Sequence, residues 1–152
     1  AAQVAAFLLA GQDSPANTLA LGLRALARLL EFQAALRAEI SARAESVAYD
    51  SMPLLNSFIK EMLRMYPALP IDDRIAVEDK TIPLSEAITT TTGEAISQIR
   101  IQKGQIISMA IAAFQRVESR WGEDAHEFNP NRWLHGSAYQ GEGEALAPYA
   151  NL

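Results

Sequence analysis

Apolar residues recur at helical spacing through the first part of the chain. The stretch from Ala1 to about Leu30 is rich in Ala and Leu and is interrupted by Gly11 and Pro15. This pattern predicts one long helix with a local disturbance at those two residues. From about Glu31 to Ala44, apolar and charged residues occupy different sides of the predicted turns. That separation indicates an amphipathic surface helix.

A third helix is expected around Pro53, which suits a first helical turn. Asp50 or Ser51 is the predicted cap, because short polar side chains accept hydrogen bonds from the free amides at a helix start. Pro67 and Pro70 are expected to end the helix. Its predicted apolar face consists of Leu54, Leu55, Phe58, Ile59, Met62 and Leu63.

The period changes after these prolines. Arg74–Glu78 and Ser97–Met109 have the composition of short strands, with Lys103-Gly104 as the predicted turn of a hairpin. Thr89–Gly93 is predicted to be a polar turn or loop, and Ala110 to about Val117 a short helix. Helices, a small sheet and a coil-rich tail follow one another, so we expect a mainly α fold with a small β-sheet, α+β by order.

Composition narrows the classes of function. Hydrophobic residues make up 49% of the 152 residues, enough for a core, and the formal net charge of −5 disfavours nucleic acid as a ligand. The chain contains no cysteine, so it can form neither disulfides nor thiolate metal sites. The longest apolar stretches are shorter than the roughly 20 residues that cross a bilayer. His126 and His135 are isolated and are expected to be surface residues, so no metal site is predicted.

Small, acidic and hydroxyl residues adjoin in the first predicted helix. They form the run Ala10-Gly11-Gln12-Asp13-Ser14, and Pro15 follows. Taken alone, this run favours a helix break with Ser14 or Asp13 as an N-cap.

An acid and an arginine occur at i to i+3 spacing in the third helix. Glu61 and Arg64 can pair at this spacing. Helical angles place both away from the apolar face that contains Met62, which predicts a solvated ion pair worth about 0 to 1 kcal/mol, unless a third partner joins them.

Two further arginines stand near prolines. Arg132 belongs to Phe128-Asn129-Pro130-Asn131-Arg132-Trp133, which by itself is typical of a turn with an exposed arginine. Arg74 follows Pro70 and by itself would pair with Asp72, Asp73 or Glu78.

These four features, in this order, resemble the C-terminal half of the cytochrome P-450 family. That family has a central-helix motif of small residue, Gly, any residue, acid and Thr, then E-x-x-R, an Arg or His at a strand start, and F-x-P-x-R-[WF]. The resemblance covers nearly the whole chain. Ser14 stands where the family usually has Thr, and Pro15 follows it. The haem-binding signature F-x-x-G-x-R-x-C-x-G is not in the chain and is expected soon after Leu152.

The resemblance implies a role for each of these residues. Ala10 and Gly11 would let the helix approach a haem closely, and Asp13 and Ser14 would relay protons to iron-bound oxygen. Arg74 would bind a haem propionate. A structural cluster of Glu61, Arg64 and Arg132 would hold the coil that leads to the haem ligand. The axial cysteine would lie outside the chain.

The implied parent is a monooxygenase of fungal microsomal type that contains haem b. It would insert one oxygen atom from dioxygen into a lipophilic substrate, with electrons from an NADPH-dependent flavoprotein reductase. Residues 1–152 would form a partial P-450 domain without the N-terminal half and the cysteine loop, inactive when expressed alone. An N-terminal helix missing here would tether the parent to the endoplasmic reticulum membrane. The alternative is a non-catalytic helical interaction module or a pseudogene product.

Overall fold

The computed structural model describes residues 2–42 and 51–134. These residues form two compact units, one from the segments up to Pro70 and from Ile111 onward, the other from Ile71–Ala110. The first unit is helical and the second is built of strands. The predicted fold class, mainly α with a small sheet, is confirmed.

The elements assigned within the described residues of the first unit are mostly α-helices, with a 3-10 turn near the end. They are α1 Ala2–Leu26, α2 Leu30–Ser41, α3 Pro53–Met65, α4 Ile111–Phe114, α5 Glu118–Trp121 and the 3-10 helix Pro130–Trp133. The single helix predicted from Ala110 to Val117 is wrong in extent, since α4 ends at Phe114 and a separate turn, α5, follows. In the part of the chain with assigned structure, no helix has the length and apolar character needed to cross a membrane.

Helix α1 runs through Pro15 without ending. The alternative of a helix break capped by Asp13 or Ser14 is therefore wrong. The helix ends at Leu26, before the predicted Leu30, because the next amides bond at shorter range: Arg28 N donates to Ala25 O and Leu29 N to Leu26 O, both at 3.0 Å. Such i to i−3 bonds are common where a helix terminates.

The core of the first unit lies where α1, α2 and α3 meet. Its buried side chains are Leu26, Phe32, Leu36, Phe58 and Met62. Gly22 on α1 is needed at this junction, because a Cβ atom there would overlap the Met62 side chain. Glycine thus lets α1 approach α3 closely.

Helix α3 takes its N-terminal cap from another helix. The residue before its first turn is Met52, which makes no side-chain cap bond, so the predicted cap is wrong for Ser51, and Asp50 lies outside the described residues. The Glu39 carboxylate of α2 instead accepts hydrogen bonds from Leu54 N and Leu55 N, both at 3.0 Å. A negative charge at this position also suits the partial positive charge of a helix start.

The second unit contains two separate two-stranded antiparallel sheets. Strand β1, Asp72–Ile75, pairs with β4, Ile106–Met109, and β2, Lys80–Thr89, pairs with β3, Ala95–Ile101. The predicted hairpin across Lys103-Gly104 is therefore wrong: the strands on its two sides belong to different sheets.

Both turns of this unit contain a glycine in the left-handed region. Gly93 has φ of 85° and Gly104 has φ of 84°, a conformation that glycine adopts without steric cost. The β2–β3 hairpin turns at Thr90–Gly93, where Gly93 N donates to Thr90 O at 3.0 Å. Turn chemistry therefore marked both positions, but only the first of them joins paired strands.

Candidate functional site

The small-acid-hydroxyl run lies in the middle of α1 and faces outward. The side chains of Ala10, Asp13 and Ser14 are exposed, and space around Gly11 is open enough that an added Cβ would meet no atom within 4 Å. Phe7, 77% exposed, lies on the same stripe four residues before Gly11. This side of α1 therefore offers a surface of low bulk with an apolar flank, suited to a flat apolar group.

Asp13 and Ser14 line a pocket of about 270 Å³. Its other walls come from the next turns of α1 and from the coil after α3: Asn17, Thr18, Leu21, Tyr66, Pro67, Ala68 and Pro70. Neither the Asp13 carboxylate nor the Ser14 hydroxyl has a hydrogen-bond partner within residues 2–42 and 51–134. An acid and a hydroxyl without partners beside a pocket can exchange protons with whatever occupies it.

Glu61 and Arg64 form the most deeply buried ion pair of the described chain. Both side chains have 0% exposure, and Arg64 Nη2 lies 2.8 Å from Glu61 Oε1. Helical spacing alone favoured a solvated surface pair unless a third partner joined them, and the family resemblance predicted Arg132 as that partner. The structure has the pair buried, with Arg132 beside it. The helical angles located Glu61 and Arg64 correctly outside the apolar face of α3, but another part of the chain covers that side.

Arg64 has every one of its N–H groups bonded. Its Nε and Nη2 donate to the two carboxylate oxygens of Glu61 at 2.9 and 2.8 Å. The remaining donors reach the backbone carbonyls of Gln115, Ala125 and Glu127 at 2.7 to 2.8 Å. Since a guanidinium has five N–H donors, no donor of Arg64 is buried without an acceptor.

The Glu61 carboxylate is the acceptor at the centre of this cluster. Besides Arg64, it accepts from Asn129 N at 2.8 Å, Trp133 Nε1 at 2.9 Å and Arg132 Nε at 3.2 Å. The structure therefore brings together Glu61, Arg64 and Arg132, which are separated by up to 71 residues in sequence. Forked hydrogen bonds of this kind make the burial of a charge far less costly.

Asp124 holds the outer side of Arg132. Arg132 Nη1 and Nη2 donate to the Asp124 carboxylate at 3.0 and 2.8 Å, and Asn129 Nδ2 donates to it at 3.0 Å. Burial opposes ionisation of Asp124, but the hydrogen bonds from Asn129 and Arg132, together with the Arg132 charge, lower the pKa of this carboxyl below its ordinary value of 3.8. Two carboxylates thus face two guanidinium groups, and the formal charges of the cluster cancel.

Sequence reasoning missed three contributors to this cluster. Asp124, the Asn129 amide and the Trp133 indole were not predicted to take part, although the signal was present: Asn129 and Trp133 belong to the same short segment as Arg132. Every strong donor in the cluster already has an acceptor, and the centre is closed to solvent. The arrangement is suited to holding chain segments together and has no room for a substrate.

Arg74 lies on β1 and is 62% exposed along its side chain. Its Nη1 donates to Asp72 at 2.5 Å. Asp72 is one of the partners expected for Arg74 when the sequence around it is taken by itself. Its role toward a haem propionate stays a prediction. His126 is exposed and His135 lies outside the described residues. No group of three or more metal-ligating side chains occurs in residues 2–42 and 51–134.

Comparisons with known proteins agree on one family. The sequence profile of the family described as Cytochrome P450 matches residues 1–150. Cytochrome P450 monooxygenase claP of Ampulloclitocybe clavipes is 37% identical over 139 residues, which are 88% of this chain and 26% of that protein. Ganoderic acid synthetase CYP5150L8 of Ganoderma lucidum is 33% identical over 142 residues, with 88% and 26% covered.

A solved structure supports the same fold. The crystal structure of a cytochrome P450, CYP102L1, matches with a TM-score of 0.67 and 28% identity, over 89% of this chain and 30% of that one. The chain spans about a quarter of the length of the curated relatives it matches.

Proposed function

The chain belongs to the cytochrome P450 family, and on that premise we propose that it is one part of a haem-dependent monooxygenase, called here the parent enzyme. The proposed reaction inserts one oxygen atom from dioxygen into a lipophilic organic substrate. The observation that supports it is the unpartnered acid and hydroxyl, Asp13 and Ser14, next to an open helix face and a pocket. The family profile matches nearly the whole chain, and nothing favours the alternative of a non-catalytic helical module.

The exposed residues of α1 fit a haem. Ala10 and Gly11 leave an exposed stretch of α1 without bulk, and a flat macrocycle could lie against it. By resemblance to the family, we also propose that Arg74 binds a haem propionate by a charge-assisted hydrogen bond. When bound and ligated by a thiolate, the haem supplies the chemistry that cleaves dioxygen. The chain has no cysteine, so the thiolate would come from elsewhere in the parent enzyme.

We propose that Asp13 and Ser14 deliver the protons that the reaction consumes. The Ser14 hydroxyl would donate its proton toward the face beside Gly11, and the Asp13 carboxyl would restore it from water in the pocket. Serine lacks the methyl of threonine, so its side chain has more rotamer freedom than the residue usual in this family. Pro15 has no N–H, and the helix carries one backbone hydrogen bond fewer at this point.

The charge cluster has a different proposed role. Glu61, Arg64 and Arg132 fix the short 3-10 helix and the coil before it against α3, and we propose that this coil leads toward the haem ligand of the parent enzyme. Residues 1–152 would then be a partial P450 domain. Family members generally use redox partners; we propose an NADPH-dependent flavoprotein reductase and attachment to the endoplasmic reticulum membrane, both by resemblance to fungal relatives.

The test is Ser14→Ala in the purified parent enzyme, reconstituted with a reductase. We expect normal haem content and a several-fold fall in product formed per NADPH, with the lost electrons recovered as peroxide, because proton delivery is impaired. Ser14→Thr is the matched control, since it keeps the hydroxyl and adds the methyl that fixes its rotamer. Unchanged coupling in Ser14→Ala would show that Ser14 is not part of the relay.

A further inference from the structure

Among the described side chains of α1, Thr18 is the first that is buried. The described side chains before it, residues 4–8 and 10–17, are all exposed, whereas Thr18 is 5% exposed. It lies four residues after Ser14, one turn farther along the same side of the helix and about 6 Å along the axis. Both line the pocket of about 270 Å³. Among the described residues of α1, Thr18 is therefore a buried point one turn away from the proposed proton relay.

The Thr18 hydroxyl makes a bond that leaves its own helix. A helical threonine can donate to the carbonyl four residues back, which here is that of Ser14. Instead, Thr18 Oγ1 donates to Tyr66 O at 3.1 Å, across 48 residues of sequence. Tyr66 is the C-terminal cap residue of α3, where backbone carbonyls have no partner within the helix.

The acceptor of this bond is held firmly from other directions. Tyr66 N donates to Met62 O at 2.8 Å, and the Tyr66 ring stacks on Phe128 with 5.9 Å between centroids and an interplanar angle of 18°. Phe128 immediately precedes Asn129, whose amide binds Glu61. The Thr18 bond thus connects the turn of α1 next to Ser14 to the Tyr66 carbonyl. The position of that carbonyl is fixed in turn by the cluster around Glu61.

From this geometry we propose that Thr18 is a positioning residue for the reaction. Its hydroxyl fixes the rotation of α1 at the turn that contains Ser14, so that the Ser14 hydroxyl stays directed at the reacting face. This inference rests on the proposed function, because it acts through Ser14. A small rotation of a helix displaces a side-chain hydroxyl, and displacements of about 1 Å reduce rates strongly.

The experiment is a double-mutant cycle in the parent enzyme. Thr18→Val keeps the shape of the side chain and removes the hydroxyl, while Thr18→Ser keeps the hydroxyl. We expect Thr18→Val to lower product per NADPH by roughly threefold to tenfold, with unchanged haem content and an unchanged carbonyl spectrum of the reduced haem. Thr18→Ser should retain coupling. In the Ser14→Ala background, Thr18→Val should add little, because both changes remove the same function.

Each outcome has one meaning. Normal coupling in Thr18→Val with impaired coupling in Ser14→Ala overturns the role of Thr18 and leaves the proposed relay intact. An equal loss from Thr18→Val with or without Ser14 shows that it does not act through Ser14, which also overturns the inference. No effect of Ser14→Ala removes the relay and the positioning role together.

Two additions keep the test decisive if Thr18→Val fails to bind haem. Thr18→Ser alone then decides, because a coupling loss with the hydroxyl in place contradicts positioning by that hydroxyl. Thr81→Val, at an exposed position of β2, is the matched control for the change of residue type. It should leave coupling at the level of the unmodified enzyme.

Discussion

Two groups of polar residues in this chain differ in how completely they are bonded. Around Glu61, every N–H of two guanidinium groups has an acceptor and both oxygens of two carboxylates have a donor. Glu61 and Arg64 are fully buried. On α1, Asp13 and Ser14 are exposed and have no partner among the described residues. Both groups were identified from short sequence patterns of similar strength.

The difference separates a structural role from a chemical one. A buried group whose hydrogen bonds are all made is held in one protonation state and one position, which stabilises the fold but leaves nothing for a reactant. A group without partners retains its capacity to accept or donate a proton. Short sequence patterns therefore differ in function according to whether distant chain segments complete their hydrogen bonds.

Removing the central carboxylate should have the largest effect. Glu61→Ala leaves Arg64 and Arg132 facing each other without their shared counter-charge, and we expect a loss of about 3 to 5 kcal/mol in the free energy of unfolding of the parent enzyme. Loss of bound haem should accompany it. Urea unfolding followed by fluorescence measures the change, with Glu86→Ala, at an exposed position, as the control. A loss below about 1 kcal/mol, typical of surface pairs, would erase the distinction drawn between the two groups.

Changing Asp124 should have an intermediate effect. Its carboxylate is 37% exposed on the side chain, so solvent screens it, and we expect Asp124→Asn to cost about 1 kcal/mol. Because its pKa is lowered in the folded state, its contribution is complete above the ordinary value of 3.8 and is lost as the pH falls through the lowered pKa.

The pH dependence provides the check on this assignment. The difference in unfolding free energy between Asp124→Asn and the unmodified enzyme should be constant at neutral pH and shrink below about pH 4. A difference that is unchanged down to pH 2 would mean that the Asp124 charge does not contribute.

The unpartnered residues of α1 should have the smallest effect on stability. We expect Asp13→Ala and Ser14→Ala each to change the free energy of unfolding by no more than about 0.5 kcal/mol, because both side chains are exposed and make no bond that folding would gain. The same urea unfolding series measures this. A cost above 1 kcal/mol for either variant would show that the replaced side chain has a structural partner. The two groups would then not differ in role as described.

Local pattern predicted the three long helices, and the family resemblance joined Arg132 to Glu61 and Arg64. Local pattern did not predict the burial of Glu61 and Arg64. The period of apolar residues reports which side of a helix faces the core, and it placed Glu61 and Arg64 off that side correctly. Their burial comes from Ala125, Glu127 and Asn129, more than 60 residues away. No local property of α3 contains that information.

The same reason explains the errors at the helix start and in the sheet. The cap of α3 comes from Glu39, not from the residues directly before the helix. The glycines at positive φ marked two turns correctly, but a turn signal does not say which strands pair on either side of it. Pairing depends on β1 and β2, and β2 was not predicted as a strand.

The two ends of α3 have a consequence for how the chain folds. A helix of 13 residues is marginal by itself in water, and its terminal groups bond to Glu39 of α2 and Thr18 of α1. The Glu61 carboxylate in its middle pairs with Arg132 only after a loop of about 70 residues has closed. Local contacts do not offset the entropic cost of that closure. We therefore expect α3 to become stable late in folding, in the same cooperative step that docks α1, α2 and the Arg132 segment. During synthesis, the ribosome must then have passed Trp133 before this helix is stable.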